Sequence, residues 1–343
     1  MFPTRAQYAK RNLLLCFDAF GTLFQPNTPI PTAYAQAAIK HGVKCNTKNP
    51  DSDVGREFKR AFKMASERSP NYGKARGLGP ERWWSNVRDG PFMSTWLPAD
   101  DAQVIHSTFQ SWLEPGQEVP QSLVDELLQR YSTKEGYDIF PDVVPFFEML
   151  RQNPSFAKVK SWPWDKTIVG IITNSDDRVP GILESFGLKV GPRRVGTQDQ
   201  RTAEAAMEDD ISFVVLSYDV GVEKPNHAIF DAAIDSLKET LSGSDDRLQA
   251  EDFEKLYIGD SLQHDFFGAK RAGWNSLMLD RGGHYKNTFA KKGKDLITTT
   301  VKKEKSHNTF AKVRMISNLE ALSIWYPSNS GESSNGSGDE DVA

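Results

Sequence analysis

Two cysteines in 343 residues leave no disulfide framework and too few thiols for the usual zinc ligand sets. No apolar run approaches the roughly 18 residues of a membrane-spanning helix, so no membrane partner is expected. Positive charge is not in excess. With 42 Lys and Arg against 46 Asp and Glu the net charge is −4, and no nucleic-acid partner is expected from a chain without a net basic footprint. Internal repeats are absent, and no secretory leader is expected, because the apolar run Leu13–Phe17 continues into Asp18 without a small-residue cleavage site. The basic opening with Arg5, Lys10 and Arg11 hints at a mitochondrial presequence, but the first core strand follows at once. Cytoplasm or nucleus is therefore expected ahead of the mitochondrion. What remains is 38% hydrophobic and 26% charged, ordinary for a globular protein, and at ~150 residues per domain it makes about two domains.

Short, mostly apolar runs recur at Leu13–Phe17, Thr167–Ile172, Phe213–Leu216, Lys255–Ile258 and Ser276–Leu279. Such runs suit strands buried on both faces. Helical spacing predicts helices over Pro141–Leu150, over Asp177–Phe186 closed by Gly187, over Pro225–Leu237 opened by proline, and over Phe266–Ala272 ended by Gly273. Strands alternating with helices imply right-handed crossovers and a Rossmann-like, doubly wound parallel α/β sheet. Residues 26–135 are helical in pattern, with no strand as strong as the first, and read as a separate helical lobe. The core is then 12–25 plus 136–326. Residues 189–211 read as polar and irregular, and 284–308 as a lysine-rich solvated insertion or, alternatively, a nuclear signal or anion-binding patch. The Ser/Gly-rich, acidic stretch 327–343 reads as a disordered tail.

In doubly wound sheets, ligands bind outside the carboxyl ends of the strands. After the first strand comes Asp18, then Gly21 and Thr22; after the second, Thr173 and Asn174; beyond the third, Lys224 before Pro225; after the fourth, Asp260, with Asp265 five residues on. Taken singly, each has a plain reading as a helix cap, turn or surface residue. Together they suit phosphoryl transfer. A carboxylate can be the nucleophile, and Mg²⁺ prefers a few carboxylates plus waters, with Asp260 and Asp265 as its anchors. Thr173 and backbone N–H groups beside Gly21, Thr22 and Asn174 would hold phosphoryl oxygens, and Lys224 supplies a compact positive charge.

The ordered set D-x-x-G-T-L, I-T-N, K-P and G-D-x-x-x-x-D resembles the haloacid dehalogenase superfamily over residues 12–282, with 26–135 matching its inserted all-helical cap. Pro70-Asn71-Tyr72-Gly73, Arg76-Gly77-Leu78 and Arg82-Trp83-Trp84 look like the haloacid dehalogenase-like hydrolase domain-containing protein 3 subfamily and its fungal relatives. The resemblance implies a Mg²⁺-dependent phosphatase acting on a small phosphorylated metabolite. It makes Asp18 the nucleophile, Thr173 the phosphoryl binder and Lys224 the charge clamp. Asp18, Asp260 and the Phe20 backbone carbonyl would be metal ligands, supported by Asp265.

One position departs from the pattern. Phosphatases of this superfamily carry an acid–base aspartate two residues after the nucleophile, where this chain has Phe20. General acid–base catalysis contributes about 10²–10⁴-fold, so alkoxide leaving groups should suffer most, and anhydrides, acyl phosphates and aryl phosphates least. Asp18-Ala19-Phe20-Gly21-Thr22-Leu23 is also similar to the start of the metal-independent 2-haloacid dehalogenases. Those lack the paired aspartates, and only Arg56 and Arg60 are candidates for a halide-binding arginine. A third reading is a catalytically silent protein that binds a phosphoryl ligand or a protein partner. Cys16 reads as an inert core thiol, Trp83, Trp84, Trp96 and Trp112 as core of the helical lobe, and His227 and His264 as surface residues.

Overall fold

The computed structural model describes residues 12–45, 47–85, 103–151, 162–203, 209–242, 247–284, 296–302 and 310–327. The N-terminal segment 1–11, Trp96, most of the lysine-rich stretch and the tail from 328 lie outside them.

The apolar run Asn12–Phe17 forms β1 at the centre of an eight-stranded sheet. Its side chains alternate between two buried layers. Leu13, Leu15 and Phe17 pack on one face, and Leu14 and Cys16 on the other. This two-sided burial is why the run is continuously apolar rather than alternating. The remaining strands of this sheet are β4 (Lys166–Thr173), β5 (Val190–Arg194), β6 (Ile211–Leu216), β7 (Phe253–Gly259), β8 (Asn275–Leu279), β9 (Ile297–Lys302) and β10 (Phe310–Ile316). Their spatial order is β5-β6-β4-β1-β7-β8-β10-β9, all parallel except β9 against β10. Helices cover both faces. His227–Ser242 presents Ile229, Phe230, Ala233 and Leu237 to one layer; Val143–Arg151 and Arg178–Ser185 present Phe146, Phe147, Val179, Ile182 and Leu183 to the other. The strand order reverses at β1, so the carboxyl ends of β1, β4 and β7 open on one crevice.

Two stretches are more regular than their composition predicts. Residues 189–211 contain β5, an edge strand bonded on one side only, to β6. An edge tolerates polar side chains, and the buried Arg193 finds the Thr240 hydroxyl and the Ala203 carbonyl. The stretch 284–308 contains β9, the antiparallel partner of β10 at the opposite edge. Its core Ile297-Thr-Thr-Thr-Val301 is β-branched throughout, which suits a pleated surface. The neighbouring lysines mask this short signal.

After β1 the chain makes β2 (Phe24–Pro26), which pairs antiparallel with β3 (Tyr137–Ile139), Phe24 opposite Ile139. Between them lie the helices Ile30–Lys40, Pro50–Arg68, Pro70–Gly73, Pro80–Trp84, Val104–Phe109 and Gln121–Arg130. Their apolar faces, including Tyr34, Val54, Phe109, Leu123 and Leu127, join Phe24 and Tyr137 in a continuous core with one face of the sheet. A smaller cluster of Ala61, Ala65, Leu78, Trp83 and Val104 lies within the helices. Among the described residues no helix is long and apolar enough to cross a membrane.

Candidate active site

The crevice brings together residues from four strand ends. Asp18 follows β1, and its backbone N–H donates to the Ile258 carbonyl at 2.9 Å, tying it to β7. Lys224, 3% exposed, arrives from the loop after β6. Its Nζ donates to Asp18 Oδ1 at 2.8 Å, to Asp265 Oδ1 at 2.7 Å and to Tyr257 Oη at 2.7 Å. All three protons of the ammonium are thereby directed. Tyr257 Oη donates in turn to the Ile172 carbonyl at 2.6 Å. Burial opposes the charge on Lys224, but the Asp18 and Asp265 carboxylates outweigh it and raise its pKa. Burial raises Asp18 as well, against the attraction of Lys224 and a hydrogen bond with the Thr173 side chain.

Asp265 is 1% exposed and also accepts the Ser261 N–H at 2.8 Å. Asp260 sits at the exposed mouth of the cluster, and carboxylate oxygens of Asp18, Asp260 and Asp265 lie within 4.8 Å of one another. Lost hydration, followed by the two neighbouring carboxylates, raises Asp260 to about 7. Three carboxylates share one lysine, so a hard divalent cation fits this oxygen donor set. Two glycines let the loops close this far. A Cβ on Gly21, whose φ is +73°, would stand 2.2 Å from Asp260 Oδ2, and one on Gly259 would stand 2.3 Å from Asp265 Cγ.

The structure therefore gathers Asp18, Gly21, Thr173, Lys224, Asp260 and Asp265. Asn174 and Thr22 have partners within the protein that the sequence did not predict. The Asn174 side chain clamps the backbone of Lys224, its Oδ1 accepting the Lys224 N–H at 2.6 Å and its Nδ2 donating to the Lys224 carbonyl at 3.1 Å. Its side chain positions the lysine. Thr22 is 0% exposed, its hydroxyl is buried without a partner, and its N–H is turned to the Ala19 carbonyl. Its carbonyl accepts Arg281 Nε and Nη2 at 3.1 and 2.8 Å, which anchors the loop. Phe20 is half-buried, with ring centroids 4.8 Å from Phe24 and 5.6 Å from Tyr137. His227 and His264 are exposed, and Cys16 is buried with its thiol pKa pushed up by burial.

Sequence reasoning missed Tyr257 and a second group built on Asp176. Asp176 is 0% exposed and accepts Arg178 Nε and Nη2 at 2.8 and 2.7 Å and Trp84 Nε1 at 3.3 Å. The Arg178 guanidinium lies 4.9 Å from the Trp84 ring centre. Beside it, Asn71 and Tyr72 hold φ of 48° and 58°, left-handed backbone that costs non-glycine residues on the order of 1–3 kcal/mol. The strain is tied down by Asn71 Nδ2 donating to the Ser217 carbonyl at 2.7 Å, by the Ser217 hydroxyl donating to Asn71 Oδ1 at 3.0 Å, and by Lys74 donating to the Asp219 carbonyl. The Pro70–Gly73 turn and Trp84 thus bridge the helical segment to the loops after β4 and β6. Nothing local in the sequence ties these distant residues together.

A sequence model described as haloacid dehalogenase-like hydrolase matches residues 13–273. The chain belongs to this family. It is similar to the uncharacterized protein YMR130W of Saccharomyces cerevisiae, 26% identical over 341 residues, covering 92% of this chain and 94% of that one. It is also similar to haloacid dehalogenase-like hydrolase domain-containing protein 3 of Bos taurus, 23% identical over 266 residues, 78% of this chain and 81% of that one. Among solved structures, the Bacillus subtilis protein YfnB bound to magnesium aligns with a TM-score of 0.42 at 17% identity, covering 91% of this chain and 97% of that one.

Proposed function

We propose that this member of the haloacid dehalogenase-like hydrolases is a Mg²⁺-dependent phosphatase of a small phosphorylated metabolite, acting through a covalent aspartyl-phosphate on Asp18. The observation that carries the reading is the Lys224 ammonium bridging Asp18 and Asp265 beside Asp260. A buried lysine fixed on the nucleophile is already in place to meet negative charge on a phosphoryl group. Asp18, Asp260 and the Phe20 carbonyl are the proposed metal ligands, with Asp265 behind them. Bound there, Mg²⁺ supplies neutralisation of the phosphoryl oxygens. Lys224 and Thr173 orient Asp18 for in-line attack, and Asn174 and Tyr257 keep Lys224 from turning away. The paired Asp260 and Asp265 favour this over metal-independent dehalogenation.

Asp260 gives a pH test. Its carboxyl is raised to about 7, so below that pH a proton must leave before a metal binds. Mg²⁺ affinity measured by calorimetry is expected to be steady above pH 8 and to fall by up to about tenfold per pH unit below 7. Asp260→Asn should weaken binding at every pH and flatten the profile. A flat profile in the native chain would remove Asp260 from the ligand set.

Phe20 sets the leaving-group range. Without an acid there, the leaving oxygen must depart as an anion. Phe20→Asp is expected to raise kcat on alkyl phosphates by about 10²-fold or more, at a stability cost from the lost contacts with Phe24 and Tyr137. If native protein and Phe20→Asp are both inert toward acyl, aryl, anhydride and alkyl phosphates, the phosphatase reading is wrong.

A further inference from the structure

Beside the catalytic loops lies an open-mouthed cavity of about 300 Å³ between the helical segment and the core. Its walls include Phe20 and Asn174, which follow Asp18 and Thr173 closely in the chain, so the space borders the loops that carry the reacting groups. The other walls are largely aromatic, among them Tyr34, Phe58, Tyr72, Trp84 and Tyr137. The charged side chain in the lining is Arg178, and it is already neutralised. Asp176 holds it through two hydrogen bonds at 2.8 and 2.7 Å, and the Trp84 ring covers it. Such a space offers no uncompensated cation to a second phosphate or a carboxylate. Leaving such polar groups unpaired on burial is costly. An aromatic ring is matched, because edge-to-face pairs add attraction beyond burial alone. A cavity of about 150 Å³ accepts benzene, so this one has room for one or two fused rings.

Resting on the phosphatase reading above, we infer that the substrate is an uncharged-ring aryl phosphate monoester whose aromatic group occupies this cavity. The two observations are independent: the absent acid at Phe20 requires a leaving group that departs as an anion, and the cavity selects an aromatic one. In the first step an Asp18 carboxylate oxygen bonds to phosphorus while the phosphorus–aryl oxygen bond breaks. The aryloxide keeps that electron pair and takes a proton from water. Water then attacks phosphorus and the bond to Asp18 breaks; one proton of that water stays on the departing hydrogenphosphate, the other neutralises the hydroxide left by the first step, and Asp18 is restored. The sum is aryl phosphate plus water giving a phenol plus phosphate.

The test compares 1-naphthyl phosphate, phenyl phosphate and acetyl phosphate with Mg²⁺, in the native chain and in Leu128→Trp, which fills the cavity from the helix Gln121–Arg130. Thermal melting checks that the variant folds; should it not, the milder Leu128→Phe replaces it. The expected result is a KM for 1-naphthyl phosphate at least about tenfold below that for phenyl phosphate, from the extra apolar area buried. The filled variant should lower the ratio of kcat/KM for naphthyl over acetyl phosphate by at least tenfold. Hydrolysis of acetyl phosphate with no preference for aryl esters, or with that ratio unchanged by the filling variant, would overturn this inference and leave the phosphatase reading standing. No turnover of any of the three would overturn this inference, and the phosphatase reading with it when Phe20→Asp is inert as well.

Discussion

Lys224→Met is expected to lower thermal stability by about 3–5 kcal/mol at pH 8 and to reduce turnover by at least about 10²–10³-fold. The lysine side chain is 2% exposed, and its partners Asp18 and Asp265 are 12% and 1% exposed. Methionine fills much of the same volume but leaves two largely buried carboxylates, with Asp260 nearby, and no counter-charge. The loss should depend on pH in a determined direction. Asp260 is already raised from 3.8 to about 7, and removing the cation raises the cluster further. A carboxyl with a raised folded-state pKa destabilises the fold at high pH, because the folded form then holds protons that the unfolded form has released. The variant should therefore recover stability as pH falls from about 8 toward 4, more steeply than the native chain, and Mg²⁺ should stabilise it at neutral pH. Melting curves across this range, with and without Mg²⁺, read both effects. A deficit independent of pH would mean that Lys224 contributes packing rather than charge.

Asp18→Asn should lower turnover further, by on the order of 10⁴–10⁶-fold for loss of a covalent nucleophile, without the loss of stability. Lys224 keeps Asp265 and Tyr257, so no cation is left buried and unpaired. One negative charge leaves the cluster, and the Asp260 carboxyl should move down from about 7, since Asp18 is among the groups that raise it. The melting temperature at neutral pH is expected to stay or rise. Mass spectrometry of the quenched reaction should find a phosphoryl adduct on Asp18 in the native chain and none in the variant. An adduct on another residue would displace Asp18 from its proposed role, and a large stability loss would place it in the structural framework instead. Two lost activities, only one with a loss of stability, separate a functional charge cluster from an ordinary buried ion pair.

The sheet was legible because its central strands are buried on both faces. Leu13–Phe17 and the runs leading to Thr173, Leu216 and Gly259 have no polar face to confuse the period, and each is followed by a residue with chemistry. The edges were not legible for the complementary reason. β5 and β9 are bonded on one side only, so their side chains may be polar, and Arg193 or a run of threonines reads as loop. At the site, residue types at strand ends were enough to expect Asp18, Thr173, Lys224, Asp260 and Asp265 in one crevice. Their division of labour was not. The Asn174 side chain holds the Lys224 backbone, and Thr22 is buried with its carbonyl on Arg281, neither of which residue type alone announces.

By itself, then, the sequence determined what is local and periodic: the buried parallel strands, the helices between them, and the charged residues that follow the strand ends. Phe20, and with it the absence of an acid, is also a fact of the sequence alone. Only the tertiary structure decided that Tyr257 completes the partners of Lys224, that Asp176 pins Arg178 and Trp84, and that Asn71 is held in left-handed backbone by Ser217. These contacts join residues far apart in the chain, and their strength depends on burial and on the orientation of single side chains. Neither is encoded in spacing, because both arise when the strand ends and the intervening helices close on one another.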